Sequence, residues 1–298
     1  MEEYMKNNDL KEGMKVSVIS IIGNVFLSIF KFIAGIIGKS NAMISDSIHS
    51  LSDVLSTIVV MIGLKLASKK EDVSHPYGHE RIECVASFIL AIFLFITGLG
   101  IGWMGIKTIF FENYSDIKTP TLIALIAAII SIITKEAMYW YTRSVAKKIK
   151  SDALMADAWH HRSDALSSIG SLIGIGGAMM GFKLLDSIAS IIICFCIIKV
   201  SYDIFMDSVD KMVDKACNSD FINKICDLVL STNGVLNIDL IKTRLFGNKI
   251  YIDLEIAANQ DLTLKEAHKI AQEVHDNIEN NYEDVKHCMV HVNPKEIN

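Results

Sequence analysis

Over the first two thirds of the chain, apolar residues gather into long runs separated by short polar stretches. The runs cover 14–37, 41–67, 84–107, 119–141, 153–180 and 184–206. A bilayer core of about 30 Å takes about 20 apolar residues of helix, so the pattern predicts six spanning helices. Lys31, Lys65, Lys135, Glu136 and Lys199 interrupt these runs, which softens their boundaries. A lysine near a helix end can carry its ammonium to the interface while its stem stays in the apolar layer.

Beyond about residue 207 the long runs stop and charged residues become frequent. Residues 219–231 have helical periodicity, and Asn233-Gly234 marks a turn. Two strand-like stretches follow, Leu236 to Phe246 and Lys249 to Ala257, joined at Gly247-Asn248. In the second, Ile250, Ile252, Leu254 and Ile256 alternate with Tyr251, Asp253 and Glu255, the period of a half-buried strand. Thr263 and Glu266 form a capping box that opens a helix reaching about Asn280. A last strand covers about Val285 to Val292, before Pro294. The order α-β-β-α-β predicts helices on one face of a small three-stranded sheet. The expected fold class is therefore a six-helix membrane bundle followed by a small α+β domain. Its parts are an N-terminal segment (1–13), a membrane domain (14–206) and a soluble domain (207–298).

A hydrophobic content of 51% and a mean hydropathy of +0.37 agree with a membrane protein and are too oily for an ordinary soluble domain. Basic residues set the orientation. The N-terminal stretch, the 68–83 loop (Lys69, Lys70, Arg81) and the 142–152 loop (Arg143, Lys147, Lys148, Lys150) fall on one side. The opposite loops hold only Lys39, Lys107, Lys118 and Lys183. Both termini are expected in the cytoplasm of a multi-pass cell-membrane protein, and Met1 to Gly13 shows no cleavable signal peptide. The net charge of −5 argues against a nucleic-acid partner. Cys84, Cys194, Cys196, Cys217, Cys226 and Cys288 form no C-x-x-C pair and read as reduced packing residues.

Two of the oily stretches carry one polar pattern, D-x-x-H-x-x-x-D, at Asp46-His49-Asp53 and at Asp157-His160-Asp164. A single such side chain in a membrane helix often only bonds a neighbouring helix. The same spacing in two separate helices points further, because ionisable groups at membrane depth are costly. His and Asp four residues apart share a helix face, so two such helices could offer two imidazoles and two carboxylates to one divalent cation. His49, Asp53, His160 and Asp164 are the expected ligands of a tetrahedral zinc site. Asp46 and Asp157 are expected to support them or line the entry path, since a third unpaired carboxylate at the ion would be costly. His161 points about 100° away from His160 and is not expected to ligate. In the 68–83 loop, Asp72, His75 and His79 could converge around a metal on the cytosolic side. His79-Glu80 does not open a zinc-protease helix, because Glu83 stands where H-E-x-x-H needs its second histidine. The soluble domain adds Asp239, Asp253, His268, His275, His287 and His291.

These motifs resemble those of the cation diffusion facilitators, metal-for-proton antiporters with six membrane helices and a cytosolic ferredoxin-like domain. The resemblance rests on S-D-x-x-H-S-x-x-D at 45–53, H-P-Y-G-H at 75–79 followed by Glu83, and A-D-A-x-H-x-x-S-D at 156–164. T-L-x-E-A-H at 263–268 and V-H-V-x-P at 290–294 complete it. It implies transport ligands at His49, Asp53, His160 and Asp164, and a loop site at Asp72, His75 and His79. It further implies cytosolic ligands at Asp239, Asp253, His268 and His291, a homodimer, and a charge interlock between Arg81 and Asp214. Some relatives have histidine where Asp239 and Asp253 stand, and an acid where Asn293 stands.

The expected activity is Zn2+ export in exchange for protons by alternating access, with Zn2+ also a regulatory ligand. Imidazole titrates near pH 6.5, so metal and proton compete for it in the working range. Cd2+ and Co2+ suit the same ligands, and Fe2+ and Mn2+ remain alternatives. Manganese-type members tend to have Asn or Asp at the two histidine positions, which favours zinc. A membrane metal sensor without transport is the rival reading. An enzyme is not expected, because the quartet closes at four ligands and no H-E-x-x-H or G-x-S-x-G motif is present.

Overall fold

The computed structural model describes residues 2–37, 41–111, 122–179 and 185–296. Within the helices some side chains also lie outside the described set, those of Asp46 and His49 among them, as do Lys39, Lys118 and Lys183 in the loops. Six long helices come first: α1 (Glu2–Ile37), α2 (Asn41–Ala67), α3 (Arg81–Phe111), α4 (Leu122–Lys148), α5 (Asp152–Met179) and α6 (Leu185–Met212). Then follow α7 (Ser219–Leu230), β1 (Asn237–Phe246), β2 (Lys249–Asn259), α8 (Leu264–Asn281) and β3 (Val285–Lys295). They form two compact units, residues 1–208 and 209–298.

The helices outrun the apolar stretches. The apolar pattern starts at residue 14, yet α1 is helical from Glu2. Its Met, Lys and Glu residues are good helix formers, so nothing in the polar segment breaks the helix. The ammonium of Lys148, at the end of α4, donates to Glu12 Oε1 at 2.6 Å and ties this extension down. Ser151 bridges the short connection to α5, its hydroxyl accepting the N–H of Leu154 at 3.1 Å.

Within the first unit the usual polarity is reversed. On α1, Ile22, Phe26, Ile29 and Ile33 face outward, while Ser17, Ser20, Asn24, Ser28 and Lys31 are buried. The buried set recurs every three or four residues, so it is one helix face, as a lipid-facing bundle with a polar interior requires. Ser28 donates to the Ser47 carbonyl at 2.7 Å and Lys31 to Ser50 Oγ at 2.9 Å, which fastens α1 to α2. Asn8–Ala34 and Arg81–Lys107 are, among the described residues, long and apolar enough by composition alone to cross a membrane.

An apolar cluster of Val16, Val60, Leu64, Ala86, Leu90, Ala146, Ala153 and Leu154 joins α1 to α5. Small residues let α2 and α3 touch closely: a Cβ added at Gly63 would lie 2.5 Å from that of Ala86.

In the second unit the sheet order is β1-β2-β3, with β1 antiparallel and β3 parallel to β2. The β1–β2 turn sits at Gly247, whose φ of 62° lies in the left-handed region that glycine tolerates. Ile252, Leu254, Ile256 and Cys288 pack on Ile225 and Val229 of α7 and on Val274 and Ile278 of α8. This is the α-β-β-α-β layering read from the sequence, and the expected capping box is present. Glu266 Oε2 accepts the Thr263 N–H at 2.9 Å, and Thr263 Oγ1 accepts the Glu266 N–H at 3.4 Å. Burial, reinforced by the charges of Glu279 and Asp253, pushes the Cys288 thiol up to about 12.

Two outcomes follow from this packing. Gly63→Val should cost about 1–3 kcal/mol by overpacking and lower the melting temperature of the detergent-solubilised protein. Gly100→Ala, which meets nothing within 4 Å, should not lower it. At pH 8, Cys288 should stay unalkylated by iodoacetamide in the folded protein and react once it is denatured, because the thiolate is the nucleophile. The sign is fixed by the raised thiol: the folded state holds this proton through the alkaline range in which the unfolded chain releases it. Stability therefore falls as pH rises above about 9.

Candidate metal centre

α5 carries His160 and Asp164 one turn apart, so both point from one face, and α2 packs beside it with Asp53. One ligand atom from each of Asp53, His160 and Asp164 lies within 4.8 Å of the others, and all three residues are buried. His160 Nε2 stands 3.4 Å from Asp53 Oδ1. His49 precedes Asp53 by one turn on α2, and its side chain is outside the described set. Asp46 is outside it as well.

Two buried carboxylates this close repel each other unless a cation stands between them. Lys135 of α4 supplies one. Its Nζ donates to Asp53 Oδ2 at 2.5 Å, Asp164 Oδ2 at 2.8 Å and Asn24 Oδ1 at 2.9 Å, which uses all three of its N–H bonds. Lys135 is 1% exposed and Lys31 is 2% exposed, so neither reaches for the interface. The sequence allows a lysine near a helix end to carry its ammonium to the interface, and these two do not do so. The physical reason is position and partners: Lys135 stands in the middle of α4 beside Asp53 and Asp164, and Lys31 beside Ser50. The mid-run position of Lys135 and the polar stripe on α1 were the available signals for Lys135 and Asn24.

Asp157 is fully buried and is held between two helices rather than exposed on a path. Its Oδ1 accepts from Thr57 Oγ1 of α2 at 3.3 Å, and its Oδ2 lies 3.5 Å from His161 Nε2. His161 also meets Ser20 Oγ at 3.3 Å, so it turns away from the three converging ligands. Beside the centre, the Arg162 guanidinium stacks over Tyr139 at 4.5 Å and Trp159 at 5.6 Å, with Glu136 Oε1 3.8 Å from its Nε. Such contacts contribute about 0.5–2 kcal/mol each and hold α4 against α5.

The 68–80 loop gathers its three residues. Asp72 Oδ1 accepts the N–H groups of Ser74 at 2.9 Å and His75 at 2.7 Å, and Oδ2 lies 3.5 Å from His79 Nε2. These hydrogen bonds, that from the His75 N–H foremost, hold the Asp72 carboxyl below its usual range. His79 Nδ1 is 3.1 Å from the Lys70 carbonyl, so its proton sits there and Nε2 is left to a metal.

In the second unit the four expected residues are not gathered within the chain. Asp253, His268 and His291 are exposed. Asp253 and His291 lie on the sheet face turned from the helices, whereas His268 is on α8. Asp239 is bonded to Asn237 at 2.9 Å and Asn293 at 3.0 Å, which lowers its carboxyl. A different set converges: His275 and Glu279 of α8 with His287 of the edge strand β3. Glu279 Oε1 is 3.4 Å from His275 Nε2 and 3.3 Å from His287 Nδ1, and His275 Nδ1 meets the Cys288 carbonyl at 2.7 Å. The i, i+4 spacing of His275 and Glu279 was the legible part of this set. Arg81 belongs to the first unit and Asp214 to the second.

The family model of the cation efflux transmembrane domain matches residues 17–213, and that of the cation efflux protein cytoplasmic domain matches residues 217–295. An uncharacterized transporter of Methanocaldococcus jannaschii is 38% identical over 283 residues, covering 95% of this chain and 99% of its own. The manganese efflux system protein MneP of Bacillus subtilis is 32% identical over 290 residues, covering 94% and 95%. The magnetosome protein MamB of a Magnetospira strain is 30% identical over 274 residues, covering 92% of each chain. With a six-helix transmembrane domain, a cytoplasmic α+β domain and carboxylates and imidazole gathered inside the bundle, the chain belongs to the cation diffusion facilitator family of cation efflux proteins.

Proposed function

We propose that the protein exports Zn2+ from the cytoplasm in exchange for protons, the ion passing through the buried group of Asp53, His160 and Asp164, with His49 as fourth ligand. The observation that carries this reading is the convergence of an imidazole and two carboxylates, from two helices, in the interior of a membrane bundle. Two carboxylates neutralise one divalent ion, and imidazole nitrogen suits zinc at about 2.0–2.1 Å. In the inward-facing state Zn2+ displaces protons from the histidines. Once the site opens outward, protonation weakens the ligands and the ion leaves. Both termini lie in the cytoplasm, so the loop of Asp72, His75 and His79 stands on the side from which metal is loaded.

Mn2+ is the second reading, favoured by the 32% identity to MneP, which is named for manganese efflux. The hard-ligand preference of Mn2+ argues against it where His160 supplies nitrogen. The cytoplasmic domain joins two copies of the chain into a homodimer and binds metal as a regulator. His275, Glu279 and His287 offer that metal a set within one chain, with inter-ligand spacings near those of a tetrahedral zinc site. Asp239, Asp253, His268 and His291 need ligands brought together by the dimer. The Arg81–Asp214 interlock belongs to the same proposed assembly.

In proteoliposomes under an imposed pH gradient, Zn2+ should move faster than Mn2+, and Asp164→Ala should abolish flux of both. Faster Mn2+ than Zn2+ would select the second reading, and tight binding with no flux would make the protein a sensor. For the full-length protein in detergent, His275→Gln combined with His287→Gln should lower bound zinc by one equivalent per chain, measured by equilibrium dialysis, while transport-site binding persists.

A further inference from the structure

We infer that Lys135 is a tethered stand-in for the transported ion: its ammonium occupies the cation position between Asp53 and Asp164 when the carrier is empty, and a divalent cation must displace it to bind. This rests on the reading of Asp53, His160 and Asp164 as transport ligands.

The geometry sets the two cations in competition for one pair of carboxylates. The Asp53 and Asp164 Oδ2 atoms both point at Lys135 Nζ, at 2.5 and 2.8 Å. A metal held at about 2.0–2.2 Å by either oxygen of these carboxylates would crowd the ammonium, since the Asp53 oxygen that faces His160 Nε2 at 3.4 Å belongs to the carboxylate that Lys135 holds. Two cations side by side in a buried site repel strongly, because little solvent screens them. Asn24 lies outside the proposed ligand set. Its Oδ1, 2.9 Å from Nζ, leaves the displaced ammonium one partner on α1.

A permanent competitor of this kind has two effects. It excludes Na+ and K+, which bring the same single charge as the ammonium but none of its tethering advantage. A divalent ion brings twice the charge and can win. The second effect falls on the empty carrier. Without the ammonium, the two carboxylates would depend on the counter-transported protons alone to compensate their charge on the return through the low-dielectric layer. With the ammonium between them the empty site keeps an internal counter-charge, so the unloaded protein can reorient. Lys135 is thus a positioning and selectivity residue that acts on the return of the empty carrier.

The experiment uses the full-length protein with Lys135→Met and Lys135→Gln. Three quantities are read: zinc affinity by chelator competition, zinc-for-zinc exchange across loaded vesicles, and net flux into zinc-free vesicles. Exchange never requires the empty carrier to cross. The neutral variants should bind zinc about tenfold tighter or more, since the binding-competent state no longer has to displace a cation. They should retain exchange, lose net flux at least tenfold, and become sensitive to Na+ at about 0.1 M. Unchanged affinity with equal loss of exchange and net flux in both variants would make Lys135 a structural prop and overturn the inference. If Lys135→Met does not fold, Lys135→Gln carries the same test. The underlying site reading fails separately, by Asp164→Ala binding and transporting zinc like the wild type.

Discussion

The cost of placing two carboxylates side by side in a medium that does not solvate them governs this protein. Asp53 and Asp164 are each nearly inaccessible to solvent. A buried charge stripped of its partner destabilises by about 3–5 kcal/mol, so such a pair survives only with a cation in attendance. The bundle is arranged around that requirement. α2 and α5 bring the anions, α4 brings the ammonium, and α1 turns its polar stripe inward to complete the ammonium's third bond. Whatever ion is carried must satisfy the same two oxygens at least as well.

The reversed polarity of α1 follows from the same constraint. A soluble bundle would bury Ile22, Phe26 and Ile29 and show Ser20 and Asn24 to water; here apolar solvent outside and charge inside invert the choice. Cohesion between the helices then depends on close backbone approach and on hydrogen bonds more than on apolar burial. The Gly63–Ala86 contact and the Ser28 and Lys31 bonds to α2 are of that kind.

Much of this was legible in the chain. The six helices, the capping box at Thr263, the hairpin at Gly247 and the shared face of His160 and Asp164 follow from periodicity and spacing, because local geometry alone decides which residues share a face; the repetition of the motif pointed to Asp53 as their companion. What spacing could not reveal is contact between helices remote in sequence. Lys135 and Asn24 are separated by 111 positions and belong to no repeated motif. Their partnership depends on how α1 and α4 pack. The same holds for His287, which joins His275 and Glu279 only because β3 lies along α8. The register of a sheet against its helix is a tertiary fact. Exposed Asp253, His268 and His291 carry a family pattern that the single chain does not bring together.

The Thr57–Asp157 bond sits directly beside the ligands and joins the two helices that supply them. Thr57 has one proton to share between Asp157 Oδ1 and the Asp53 carbonyl, each at 3.3 Å, so this bond is a light latch and not a clamp. α2 packs far more extensively on α1, and α5 on α4, than α2 and α5 pack on each other, so the residues of the centre straddle the seam between two tighter helix pairs. The ammonium of Lys135 on α4 reaches Asn24 on α1 and Asp53 on α2, so the placeholder is also a pin driven across that seam.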